Sequence, residues 1–390
     1  MILLLALTLG APMQVGPPEG GGALEGCRRC DRRGVVDCTD AWHGDVPLAW
    51  EAEVLCSVAA SCPSCGGALV VDCAKCDGGP ESAAMEARRA ELQAFAAKPH
   101  PALELLGPPV MRVEGHHLEL AGRIRALRGP KKKDRPSGHR FLHEALRESE
   151  RAADLVDAHF GFEVGKEPPS PIPLWFWQDL DDHVRVLHEL VGATGSGDLK
   201  RLDRHPLFSV CTADDQFQDD YAQLVALAVH TTPHLMMAAA WDGRWVGDQG
   251  AAWLDEGAAH WYEEKVLGER RHLCVEETYT TEVWEAGLWR AGVRKYLGRN
   301  ADPMLPRLLA LQLPELRPEE HALAWSVYDW LVTAHPEALP EVLKAAKAGA
   351  PAREWLRDQL GLAFPRAEEA WRDWVDETYP RKEKRPKRRR

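Results

Sequence analysis

The stretch QDDYAQLVALAVHTTPHLMMAAAW, residues 218–241, decides how this chain is read. It is apolar on nearly every side of a helical wheel. Leu224, Ala228, Leu235 and Ala239 line one side, while Leu227 shares a stripe with His230, His234 and Trp241. A helix that is apolar all round is a buried helix. Its two histidines stand four apart, so they share a face and can present two imidazoles to one partner. Leaving a buried polar group unpaired costs roughly 1–3 kcal/mol, so two on one stripe demand a metal, a carboxylate or water. Pro233 removes one hydrogen bond from that helix and predicts a kink in the turn that spaces the histidines. Thr232 is placed to satisfy part of the freed carbonyl groups.

The next helix supplies a carboxylate. WLDEGAAHWYEE, residues 253–264, puts Glu256 22 residues beyond His234. Taken with AWSVYDWL (324–331) and WRDWV (371–375), these motifs resemble the gluzincin metallopeptidases, and more narrowly the peptidase MA-like group. The resemblance spans Arg112–Tyr379. That group holds zinc with HExxH and a later glutamate in W-L-x-E-G. It implies His230, His234 and Glu256 as zinc ligands here, in a mostly helical α+β domain with a small sheet. His321, just before ALAW, falls where the group polarises the substrate oxyanion. The departure is Thr231, which stands where the family keeps its general base. A threonine hydroxyl does not accept a proton from metal-bound water near neutral pH, and losing such a base typically costs ~10²–10⁴ in rate.

Nearer the N-terminus, eight of the ten cysteines fall between Cys27 and Cys76, and seven of them form a repeat. CRRCDRRGVVDCTDA (27–41) aligns without gaps on CPSCGGALVVDCAKC (62–76). Both copies read C-x2-C-x7-C-x2-C, except that Ala41 takes the last cysteine's place in the first. Each Cys-x2-Cys knuckle sets two thiolates at the separation one tetrahedral zinc requires, and two knuckles complete a site. The segment resembles the cysteine-rich zinc domain of DnaJ-type chaperones, whose CxxCxGxG glycines survive here as Gly34, Gly67 and Gly78. That resemblance implies an outer site of Cys27, Cys30, Cys73 and Cys76. It implies an inner site of Cys38, Cys62 and Cys65, with a fourth position open to His43 or Cys56. No J-domain precedes the module, so a chaperone role does not follow.

Composition frames these motifs. Hydrophobic residues at 45% and fifteen tryptophans support a substantial core in a chain of 390 residues. The final RKEKRPKRRR (381–390) carries a net +7, leaving −19 for the remainder of a chain whose formal charge is −12. So acidic a body argues against a nucleic-acid binder, although the basic tail, read as a solvated end, could touch an anionic surface. MILLLALTLGA resembles the apolar region of an export signal, and residues 1–16 are read as one, placing the protein in the periplasm or outside the cell rather than the cytoplasm. No other stretch is long and apolar enough to span a bilayer.

The predicted organisation is a cysteine module (24–80), a helix and Pro-rich linker (81–110), a peptidase MA-like domain (111–379) and the tail (380–390). Within the larger domain, MRVEGHHLELAG (111–122) reads as a strand, residues 139–160 as an amphipathic helix and IPLWFWQ (172–178) as a buried strand. His139 and His143, four apart, read as exposed helix residues, and Cys211 and Cys274 as plain buried cysteines. Three functions fit. The first is a catalytically degenerate zinc-peptidase-like protein that binds a peptide or protein partner. The second is an active metallopeptidase whose base is Asp255, His260 or Glu263. The third is a scaffold that makes its contacts through the cysteine module.

Overall fold

A computed structural model describes residues 27–30, 33–75, 83–162, 171–241, 244–270 and 288–383. The apolar N-terminus, Cys76, Gly78, Cys274 and the tail from Lys384 lie outside them. The chain divides into two compact units between Lys98 and Pro99. The predicted helix at 81–98 therefore belongs with the cysteines, and the Pro-rich linker with the larger unit.

The repeat explains the smaller unit. Its two copies of Val-Val-Asp form β1 (Val35–Asp37) and β2 (Val70–Asp72), which pair antiparallel with Val36 opposite Val71. Cys38 N donates to Leu69 O and Cys73 N to Gly34 O, both at 2.8 Å. Gly34 and Leu69 are equivalent in the repeat, and both take a positive φ, 78° and 62°. Glycine adopts that conformation freely, whereas leucine is strained in it, so the second copy keeps the turn at a steric cost. Between the copies lie α1 (Leu48–Ala52) and α2 (Ser57–Ala60), and α3 (Ala83–Ala97) follows.

The larger unit opens with α4 (Pro101–Leu106), a short helix inside the segment read as linker. MRVEGHHLELAG is a hairpin rather than one strand: β3 (Met111–Glu114) turns back through Gly115–His117 into β4 (Leu118–Arg123). Glu150 fixes that turn by accepting from the backbone N–H groups of His117 and Leu118. α5 (Gly138–Phe160) then crosses to β5 (Ile172–Trp177), which pairs parallel with β4. α6 (Leu180–Val186) and a π-type turn (Leu187–Val191) lead to β6 (Leu199–Arg201) and β7 (Leu207–Cys211). The strand order in this unit is β3-β4-β5-β7-β6, antiparallel at both edges and parallel in the middle. β5 has parallel neighbours on both sides, which explains its near-continuous apolar sequence.

Helices make up the rest. They are α7 (Tyr221–Ala239), α8 (Ala252–Leu267), α9 (Trp289–Leu297), α10 (Leu305–Leu308), α11 (Pro318–Ala334), α12 (Leu339–Lys347), α13 (Ala352–Leu360) and α14 (Phe364–Thr378). The fold is mixed α+β and mostly helical with small sheets, and no helix among the described residues is long and apolar enough to cross a membrane. α8 is the hub, packing on α5, α7 and α11. The Tyr262 hydroxyl joins two of these contacts, lying 2.8 Å from His159 Nδ1 on α5 and 2.8 Å from the Tyr328 hydroxyl on α11. α8 and α11 approach so closely at Gly257 that a Cβ there would lie 2.6 Å from the Ala324 carbonyl oxygen. Gly257→Ala is expected to destabilise the unit by about 1–3 kcal/mol in urea unfolding, the usual cost of overpacking. An unchanged midpoint would mean that the two helices have room to spare.

Candidate metal centres

The cysteine unit gathers two clusters that the repeat relates. Cys27, Cys30 and Cys73 form one, and Cys38, Cys62, Cys65 and His43 form the other, with ligand atoms within 4.8 Å of one another in each. The sulfur atoms of Cys27 and Cys73 are 3.8 Å apart, and those of Cys38 and Cys62 are 3.9 Å apart. A disulfide would bring such pairs to about 2.0 Å. With metal–sulfur bonds of about 2.3 Å, the edge of a coordination tetrahedron is about 3.8 Å. Buried thiols spaced in this way fit vertices around an ion. The fourth outer ligand read from sequence, Cys76, lies outside the described residues.

His43 occupies the vacancy left at Ala41. Its Nε2 is 3.4 Å from Cys65 Sγ, and its Nδ1 is 2.5 Å from Glu51 Oε2. A carboxylate behind an imidazole fixes the ring and its tautomer, so that the other nitrogen presents a lone pair inward. Asp40 builds the approach to this residue, capping the turn Ala41–His43 by accepting from Trp42 N. Cys56, the alternative, is buried outside this group, and desolvation pushes its thiol up to about 12. The two clusters differ electrostatically. The Cys30 backbone N–H, bonded to the Cys27 sulfur, outweighs burial and lowers that thiol to about 6. Desolvation raises Cys65 to about 12 and raises Cys38 as well, so a bound cation would favour the thiolate form of these two groups.

In the larger unit, α7 brings His230 and His234 together and α8 brings Glu256 to them. The two Nε2 atoms face each other at 3.3 Å, and each lies 3.7 Å from a Glu256 oxygen. Behind the rings stand two more carboxylates. His230 Nδ1 is 3.2 Å from Glu263 Oε2, and His234 Nδ1 is 2.9 Å from Asp255 Oδ2. The second contact has ion-pair length but is too bent for a good hydrogen bond. Asp255 also accepts from Trp245 Nε1 at 2.7 Å. A carboxylate beside each Nδ1 favours a proton there, so that both Nε2 atoms would offer lone pairs to one cation. Without a cation, a proton shared between the two nitrogens would fill the gap. With metal–nitrogen bonds of about 2.0–2.1 Å, a tetrahedral edge is about 3.3 Å, which matches their separation.

The Glu256 carboxylate has no hydrogen-bond partner among the described residues, although it is buried. Burial would raise its carboxyl, but the neighbouring His234 and His321 outweigh that and hold it at about 2. His260 and His321 join the cluster on its far side, 3.7 and 3.6 Å from Glu256 Oε2. Burial above all keeps the His260 imidazole well below its ordinary range.

Several sequence expectations change here. α7 runs unbroken from Tyr221 to Ala239 through Pro233. The Thr232 hydroxyl donates to Ala228 O at 2.9 Å, one carbonyl short of the Val229 group that Pro233 frees. Thr231 is fully buried, and its hydroxyl has no hydrogen-bond partner among the described residues. His139 and His143 are buried, at 7% and 2% exposure, because they share the i, i+3, i+4, i+7 stripe of α5 with Leu142 and Leu146. Glu51, which sequence reasoning missed, carries no motif; its only signal is an acid inside the otherwise apolar LAWEA helix.

His43→Ala should remove one metal equivalent per chain by mass spectrometry, whereas Cys56→Ala should remove none. Glu51→Gln should weaken the same site about 10–100-fold, as loss of such a bracing carboxylate usually does. The opposite pattern would move the fourth ligand to Cys56. The chain matches no protein-family profile, and no curated protein is similar to it in sequence.

Proposed function

We propose that the larger unit holds zinc at His230, His234 and Glu256 in a degenerate gluzincin-type site, and that the protein binds a peptide or a protein partner without cleaving it. The observation that carries this reading is the pair of imidazole nitrogens 3.3 Å apart in the core, both rings backed by carboxylates. Two imidazoles and a carboxylate, with an open fourth vertex, are a donor set zinc accepts. When bound, the ion would act as a Lewis acid toward water or a carbonyl group. The surrounding residues do not supply a base. Thr231 offers only a hydroxyl, while Asp255 and Glu263 are committed to His234 and His230. His260 faces Glu256 and His321.

Access points the same way. His230, Thr231, His234, Asp255, Glu256, His260, Glu263 and His321 are each at most 1% exposed. A peptide backbone cannot reach an ion sealed at that depth, so the centre serves to tie α7 to α8 and keep the surrounding surface in one shape. The cysteine unit would hold structural zinc in the same spirit, since a module so small draws its folding free energy from the metal.

Zinc per chain and a generic peptidase assay test this together. His230→Ala should lose zinc from the helical unit only, and Cys73→Ala from the cysteine unit only, with no hydrolysis above background in any form. Hydrolysis by the wild type that vanishes in His230→Ala would overturn the degenerate reading. Unchanged zinc in His230→Ala would overturn the site itself.

A further inference from the structure

Glu256 is surrounded by more imidazole than one ion needs. Four ring nitrogens from three helices approach its carboxylate: His230 Nε2 and His234 Nε2 from α7, His260 Nε2 from α8 and His321 Nδ1 from α11. All four stand 3.6–3.7 Å away. Hydrogen bonds between imidazole N–H and carboxylate close to about 2.7–2.9 Å when one partner is charged. A buried carboxylate that four ring nitrogens surround without one closing is therefore not explained by hydrogen bonding. Stand-off of this size is what ligands show when they share an ion rather than a proton.

The four nitrogens also sort into two pairs. His230 and His234 are 3.3 Å apart, and His260 Nε2 and His321 Nδ1 are 3.2 Å apart. Both separations match the edge of about 3.3 Å expected around a metal with nitrogen bonds of about 2.0–2.1 Å. Glu256 Oε1 faces His234, whereas Oε2 faces His230, His260 and His321. The second pair is framed by apolar groups, with the His260 ring 4.9 Å from Trp289.

We infer that Glu256 bridges two divalent first-row metal ions, the second held by His260, His321 and Glu256 Oε2. This extends the first-ion reading and rests on it. The donor set, two imidazoles and a shared carboxylate, suits zinc and its neighbours in the first transition row. In this arrangement His321 is a metal ligand rather than a group aimed at a substrate oxygen. The three helices α7, α8 and α11 are then cross-linked at one point by two ions.

Anomalous diffraction at the zinc edge, on crystals of the full chain grown with zinc, tests this without relying on any variant to fold. Two peaks are expected in the larger unit, about 3.5–4 Å apart as in other paired sites. One should lie between His230 and His234, the other between His260 and His321. A single peak at the first position overturns the second ion and leaves the first reading standing; no peak overturns both. Zinc counts give an independent measure. His321→Asn should lose one equivalent, and His230→Ala combined with His321→Asn should lose two. Loss of only one in the combined variant would mean that a single ion is shared, against the inference.

Discussion

Two imidazole nitrogens facing each other at 3.3 Å inside a buried core are a constraint the rest of the larger unit must meet. Each ring has a carboxylate beside its Nδ1, Glu263 or Asp255. A shared proton or a cation must then occupy the space between the two Nε2 atoms. A bound cation would be the strongest local link between α7 and α8. The close approach of α8 to α11 at Gly257 and the Tyr262 link to α5 and α11 all serve to hold Glu256 at this point.

The cysteine unit uses the same device at a smaller scale. His43 is backed by buried Glu51 and turns its other nitrogen toward Cys65. The repeat accounts for why a histidine is needed at all. Cys27, Cys30 and Cys73 correspond to Cys62, Cys65 and Cys38, so the hairpin of β1 and β2 makes two equivalent three-cysteine clusters. Where the first copy has Ala41, the chain runs on two residues into a turn and delivers His43 instead. Both units thus bring a carboxylate-backed histidine into a cluster of donor atoms compatible with a metal ion.

Much of this was legible in the sequence, because periodicity and spacing are local. The C-x2-C repeat, the amphipathic α5, the buried β5 and the pairing of His230 with His234 could be read from residue order, while Glu256 joined them through the resemblance to the gluzincin motif. What escaped depends on geometry across elements. The choice between His43 and Cys56 turns on which way a loop closes. The roles of Asp255 and Glu263 turn on which side of a ring each carboxylate reaches; spacing alone made them look like spare bases. His260 sits four residues after Glu256 and Glu263 seven after it, a stripe that does carry helical period. Its meaning appears only once α7 lies against it. The β3–β4 hairpin was hidden because its turn, Gly115–His117, closes on one backbone bond from Gly115 N to Leu118 O and is braced by Glu150 from a distant helix.

The central claim is that thiolate and imidazole–carboxylate centres coexist in one chain, and the zinc-edge X-ray absorption fine structure of the purified protein addresses it most directly. A mixed coordination shell is expected, with sulfur at about 2.3 Å and nitrogen or oxygen at about 2.0–2.1 Å. The nitrogen and oxygen share should fall when His230 is replaced by alanine. A shell of sulfur with only the single nitrogen of His43, unchanged by that replacement, would contradict the account.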